Sequence, residues 1–136
     1  MTSPVIIGGM HHFALTVSDL DRSIEFYRRV LGFEQVADLG TKIALHNGSF
    51  LLVVTLAPDP EQALENDRFS ESRVGLDHIS FHVSDRDAME KAAASLDVMG
   101  VSRGAIRDLG KGFGFYVMAF RDPDNIQLEL TANYAA

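Results

Sequence analysis

One octapeptide pattern occurs twice in this chain, and the spacing between its copies limits the fold more than any other feature. The first copy reads His12-Phe13-Ala14-Leu15-Thr16-Val17-Ser18-Asp19 and the second His78-Ile79-Ser80-Phe81-His82-Val83-Ser84-Asp85. A single offset of 66 positions relates the histidines, the valines, the serines and the aspartates. A repeat of that period in a chain of 136 residues means that one supersecondary unit has been used twice. Within each copy, apolar and polar positions alternate strictly, as a strand with one buried face requires. Phe13, Leu15 and Val17 therefore point toward a core, while His12, Ala14 and Thr16 point away from it.

The residues that follow each copy repeat the same order. Asp19 or Ser18 caps a helix expected over 20–31, with Leu20, Ile24, Tyr27 and Leu31 on its apolar stripe and Gly32 as the stop. Strands are expected over 33–39, 41–46 and 50–56, separated by Gly40 and by Asn47-Gly48. After a Pro- and acid-rich connection, 57–75, with a short helical turn near 61–64, a strand over 76–83 leads to Asp85. That residue caps a helix running to about Met99, which has Met89, Ala92, Ala93 and Leu96 inside and Gly100 as its stop. Strands are expected over 101–106, 114–120 and 126–131. Gly110, Gly112 and Gly114 form a hairpin or lid, not a dinucleotide fingerprint, because no helix follows them. The expected fold is α+β: paired βαβββ modules, 10–56 and 76–131, joined by 57–75 into one domain over 1–136, with sheets curling around a cleft.

Composition narrows the chemistry. Hydrophobic residues make up 46% of the chain, enough for a substantial core. The absence of cysteine removes disulfides, thiolate nucleophiles and thiolate metal sites, and fits a reducing cytoplasm. A net charge of −7 with scattered basic residues argues against nucleic acid as a partner. The N-terminal residues lack a signal-peptide pattern and no stretch is long enough to span a bilayer, so a cytoplasmic protein without a membrane partner is expected.

The polar faces of the strands carry the candidate site. His12, His78, Thr16, Ser80 and His82 share the core-averted parity, and on the last strand so do Gln127, Glu129 and Thr131. A carboxylate on the inner wall of a sheet is costly unless a cation or hydrogen bonds answer it. Two imidazoles and one carboxylate are a standard donor set for a divalent cation with positions left open for substrate, which makes His12, His78 and Glu129 the candidate ligands. His11 and His46 read as ordinary residues at a strand start and before a turn. His82 reads as a polar contact near the site. Asp19 and Asp85 read as caps, and Asp122-Pro123-Asp124 as a turn in preference to a calcium site.

With these residues in view, the chain resembles the vicinal oxygen chelate superfamily of glyoxalases, extradiol dioxygenases, methylmalonyl-CoA epimerase, and fosfomycin and bleomycin resistance proteins. The resemblance rests on 12–19 followed by Ser23, Phe26-Tyr27 and Leu31-Gly32-Phe33, and on Asp77-His78 with the run Asp122-Pro123-Asp124-Asn125-Ile126-Gln127-Leu128-Glu129-Leu130. It implies one divalent metal (Fe, Mn, Ni, Zn or Co) at the positions matching His12, His78 and Glu129. It further implies a homodimer and a small-molecule substrate whose adjacent oxygens are chelated, so that an enediolate-like species is stabilised by a lyase, isomerase or dioxygenase. Two departures shape the reading. Val53 stands where glyoxalases and the epimerase offer a fourth ligand, leaving Glu129 as the evident acid–base residue, and only Asn133-Tyr134-Ala135-Ala136 occupies the place of the transferases' basic C-terminal residues. His82 and Tyr116 are conceivable counterparts of the dioxygenases' acid–base groups. The alternative function is sequestration of an antibiotic-type molecule without turnover, in a cleft walled by Phe50, Phe113, Phe115, Tyr116 and Met118.

Overall fold

Alternation and helical periodicity in the sequence resolve into two copies of one topology. The computed structural model describes residues 2–135. They form β1 (His12–Thr16), α1 (Leu20–Leu31), β2 (Glu34–Asp38), β3 (Lys42–His46) and β4 (Leu51–Thr55), then β5 (Ile79–Val83), α2 (Arg86–Val98), β6 (Arg107–Asp108), β7 (Phe115–Arg121) and β8 (Gln127–Asn133). A 3-10 turn, Pro60–Gln62, lies between the two sets. Two compact units divide between Ala63 and Leu64. Each contains one four-stranded mixed sheet, ordered β1-β4-β3-β2 in the first and β5-β8-β7-β6 in the second. Among the described residues, no helix is long and apolar enough to cross a membrane.

The repeat extends to hydrogen-bond register. Strands β1 and β4 run parallel, with Phe13 opposite Leu52 and Ala14 opposite Val53. Strands β5 and β8 run parallel with the corresponding residues matched, Ile79 opposite Leu128 and Ser80 opposite Glu129. Val53 is therefore the positional counterpart of Glu129, as the sequence symmetry indicates.

Both helices begin where the aspartates put them. The Asp19 carboxylate accepts from the Arg22 amide at 3.0 Å, and the Asp85 carboxylate accepts from the Ala88 amide at 2.8 Å. Each such cap is worth about 0.5–2 kcal/mol. Helix α1 ends in a left-handed turn at Gly32, φ 72°, whose amide bonds to the Arg28 carbonyl while the Phe33 amide reaches the Tyr27 carbonyl. A side chain at that φ would be strained, which is why the stop is a glycine.

In the first unit the core comprises Leu15, Phe26, Tyr27, Phe33, Ile43, Leu45, Leu52 and Val54, all nearly inaccessible. The Phe50 ring joins it, 5.5 Å from Phe13 and 5.6 Å from Phe33 between centroids, and so is not a cleft wall. In the second unit α2 packs on β8, and Met89, Ala93 and Leu96 are buried with Met118, Phe120, Leu128, Leu130 and Ala132. Met118 pairs with Leu130 and Tyr116 with Ala132, which places Met118 and Tyr116 on the helix-facing side of their sheet. This corrects their assignment to a cleft wall, and that of Tyr116 to an acid–base role: its ring lies 4.9 Å from the Arg86 guanidinium carbon and 4.9 Å from the Tyr134 ring.

The expected strand over 101–106 is also corrected. That segment runs beside β7 but makes only intermittent bonds, a bridge from Arg103 to Phe120 and the Gly104 amide to the Ala119 carbonyl at 2.8 Å. The regular ladder starts at Arg107. Within this segment the Arg103 guanidinium reaches back to Asp97 with two 2.8 Å bonds and also donates to the Gly104 carbonyl. The glycine-rich hairpin after β6 is tethered as well. Tyr134 donates from its hydroxyl to the Asp108 carboxylate and from its amide to the Gly114 carbonyl, and the Asp108 bond pushes the Tyr134 phenol up to about 12.

Candidate metal centre

Strand parity decides which side chains share the face turned away from α2. On β8 these are Gln127, Glu129 and Thr131, alternating with the buried Leu128, Leu130 and Ala132. Opposite Glu129 and Thr131 on β5 stand Ser80 and His82, and His78 immediately precedes that strand. From β7, Val117, Ala119 and Arg121 lie opposite Thr131, Glu129 and Gln127. Helix packing on one face thus leaves a row of polar side chains on the other.

Within this row, two of the three sequence-selected ligands come together. His78 Nε2 is 3.6 Å from Glu129 Oε1, with 40% and 19% of their side chains exposed. Thr131 Oγ1 is 3.4 Å from the same carboxylate oxygen and 2.5 Å from Ser80 Oγ. In the first unit His12 holds the position equivalent to His78, at the start of β1, with its Nδ1 2.8 Å from Nδ1 of His11. Among the described residues, no group of three or more His, Asp or Glu side chains is gathered closely enough to hold an ion. The donor types fit a first-row divalent cation, since an imidazole nitrogen and a carboxylate oxygen stand on one face a short distance apart.

His46 and Asp122 fall in turns, as the sequence indicates. His46 ends β3, its Nδ1 accepting from the Gly48 amide at 2.9 Å in the turn. Asp122 is buried in the β7–β8 connection, where one carboxylate oxygen accepts from the amides of Asp124 at 2.9 Å and Ile126 at 2.8 Å. That is turn chemistry rather than a cation site.

Sequence reasoning missed the residues behind His78. Asp77 Oδ1 lies 2.7 Å from His78 Nδ1, and Gln127 Nε2 donates to the same oxygen at 3.1 Å and to the Asp77 carbonyl at 3.2 Å. Gln127 Oε1 is 3.5 Å from Arg121, and Arg121 makes a two-pronged pair with Glu71, 2.9 Å at each prong. The available signal was the adjacency Asp77-His78 and the shared parity of Gln127 and Glu129. Glu71 and Arg121 are far apart in sequence, and only the fold joins them.

Electrostatics are strongest at that last pair. The hydrogen bonds from Arg121 hold the Glu71 carboxyl down to about 2, against an ordinary 4.5. Arg121 is in turn raised, first by its bond to Glu71 and then, after a desolvation cost, by the charges of Glu71 and Asp77. A carboxyl depressed on folding contributes stability above its unfolded value and loses that contribution as pH falls toward the folded one. The wild type should therefore shed stability between pH 4.5 and about 2 through this pair. Acid unfolding followed by circular dichroism on Glu71→Gln should lack that component, and an acid limb identical to wild type would contradict the assignment.

Residues 9–130 match the Glyoxalase/Bleomycin resistance protein/Dioxygenase superfamily. The chain belongs to this superfamily. Its relatives include the Bacillus subtilis protein YqjT, 33% identical over 90% of this chain and 98% of that one. The metallothiol transferase FosB of Shouchella clausii is 28% identical over 92% of this chain and 80% of its own. Among solved structures, a glyoxylase/bleomycin resistance protein/dioxygenase domain from Frankia superposes with a TM-score of 0.78 at 28% identity, covering 94% of this chain and 99% of that domain. The paired βαβββ modules are thus those of a Glyoxalase/Bleomycin resistance protein/Dioxygenase superfamily member.

Proposed function

We propose that this protein is a divalent-metal-dependent enzyme in which His12, His78 and Glu129 hold one Fe, Mn, Ni, Zn or Co ion, as a homodimer acting on a small molecule. The reading rests above all on the 3.6 Å approach of His78 Nε2 to Glu129 Oε1 on the face turned away from α2. The similarity to a metallothiol transferase supports it. A cation held there supplies Lewis-acid polarisation of two adjacent substrate oxygens, the chemistry of a lyase, isomerase or dioxygenase. The chain's own groups do the rest. Thr131 and Ser80 supply hydroxyls beside the carboxylate, and in this reading Glu129 takes or returns the proton. Ala119, a small side chain, stands opposite Glu129 on the same face.

Of the five residues named for a sequestering cleft, Phe50, Tyr116 and Met118 belong to the helix-side packing, whereas Phe115 shares the parity of Glu129 and Phe113 is exposed. Elemental analysis of protein purified without a nickel column, and again after reconstitution, tests the proposal. About one ion per chain is expected, and a protein that neither retains nor takes up metal would overturn it.

A further inference from the structure

We propose that Asp77, held from behind by Gln127 and Arg121, is a positioning residue that fixes His78 as the Nδ1–H tautomer, leaving Nε2 bare toward Glu129. The inference deepens the metal-centre reading and rests on it for its functional meaning.

Hydrogen-bond polarity propagates along the row without ambiguity. A guanidinium only donates and an ionised carboxylate only accepts. Arg121, 3.5 Å from Gln127, therefore requires the amide oxygen of Gln127 on its side, which turns the Gln127 NH₂ toward Asp77. That NH₂ donates to both the Asp77 backbone carbonyl and its Oδ1, so Asp77 is held at its backbone and at one carboxylate oxygen. His78 Nδ1, 2.7 Å from the same Oδ1, must then carry the proton. In the neutral imidazole the remaining nitrogen, Nε2, then keeps its lone pair, and it faces Glu129 Oε1 at 3.6 Å.

Asp77 is thus the side chain that decides which nitrogen of His78 can ligate, and its negative charge makes that nitrogen a stronger donor. The far end of the row is anchored outside the sheet strands, through the two-pronged Arg121–Glu71 pair. Gln127 and Asp77 need no contact with substrate to act in this way.

Two measurements test the inference separately from the metal reading. Long-range proton–nitrogen correlation spectra of the metal-free protein, taken well above the ordinary imidazole range, report the tautomer of each histidine directly. Wild-type His78 should be protonated at Nδ1. Asp77→Ala should shift it toward the Nε2–H form that a free imidazole favours in water, and Asp77→Asn, whose amide oxygen can still accept, should restore the wild-type form. Zinc affinity, measured by competition with a chromophoric chelator, should fall about 10- to 100-fold in Asp77→Ala with the melting temperature of the metal-free protein unchanged. Persistence of the Nδ1–H tautomer in Asp77→Ala overturns the inference. So does an unaltered zinc affinity in a protein whose wild type binds zinc. If the wild type takes up none of zinc, iron, manganese, nickel or cobalt, the metal-centre reading falls, and the positioning role is decided by the tautomer alone.

Discussion

Glu129→Ala should weaken binding of a divalent cation by at least about a hundredfold, more than loss of a partner behind a ligand, which costs roughly 10- to 100-fold. The carboxylate sits in the middle of β8 between Leu128 and Leu130, both buried, with only 19% of its side chain exposed. The nearest cationic candidate, His78, stands at 3.6 Å, beyond a good hydrogen bond. A partly desolvated anion in that setting gains far more from a cation than it gains from its neighbours in the metal-free state. Folding should accordingly be almost indifferent to the change, by less than about 1 kcal/mol. Glu129→Gln, which keeps the volume and one acceptor oxygen but not the charge, should resemble alanine in affinity. Chelator competition and calorimetric melting of the three proteins would check this. Equal affinity of Glu129→Ala and wild type would remove Glu129 from the ligand set.

Asp122→Ala should have the opposite signature, a large loss of stability. Asp122 is 5% exposed, and one carboxylate oxygen serves the amides of Asp124 and Ile126. Its backbone closes the same turn, the Asp122 amide bonding to the Ile126 carbonyl at 3.1 Å and the Asn125 amide to the Asp122 carbonyl at 3.0 Å. Asn125 completes the turn in the left-handed region, φ 67°, and donates to the Phe69 carbonyl at 3.0 Å. Alanine would leave two buried amides without acceptors, at a cost of about 2–4 kcal/mol, or roughly 10 °C in melting temperature. Asp122→Asn retains an acceptor oxygen and should lose about half as much. Urea unfolding at neutral pH reads the difference, and a loss below about 1 kcal/mol in Asp122→Ala would show that water replaces the carboxylate.

Local rules made much of this legible in the sequence. Helix boundaries followed from Asp19, Asp85 and Gly32, because capping is written within three or four residues of the helix end. The shared face of Gln127, Glu129 and Thr131 followed from strand parity, and the likeness of the two sheets from the repeat. What escaped depended on register between distant strands. Tyr116 looked available for chemistry because its parity relative to Glu129 is set by the β7–β8 pairing, Ala119 opposite Glu129, and not by anything near Tyr116 in the chain. Strand β6 was placed too early because its pairing is set by β7, with a bridge at Arg103 and a regular ladder only from Arg107, which no alternation pattern announces. The Glu71–Arg121–Gln127–Asp77 row spans three separate segments, so its members have no common local signature.

The parallel pairing of β1 with β4, and of β5 with β8, has a kinetic consequence. The hairpin partners β3 with β4 and β7 with β8 are near neighbours in the chain and can meet through short loops, whereas each parallel pair joins opposite ends of its module. Closing the longer loop costs more chain entropy before any contact repays it. The first strand of each module, which carries or follows its histidine, should therefore join its sheet after the β3–β4 and β7–β8 hairpins have formed. Glu129, on the strand sandwiched between β5 and β7, belongs to the early-forming part, so the two halves of the candidate ligand set are acquired at different moments of folding.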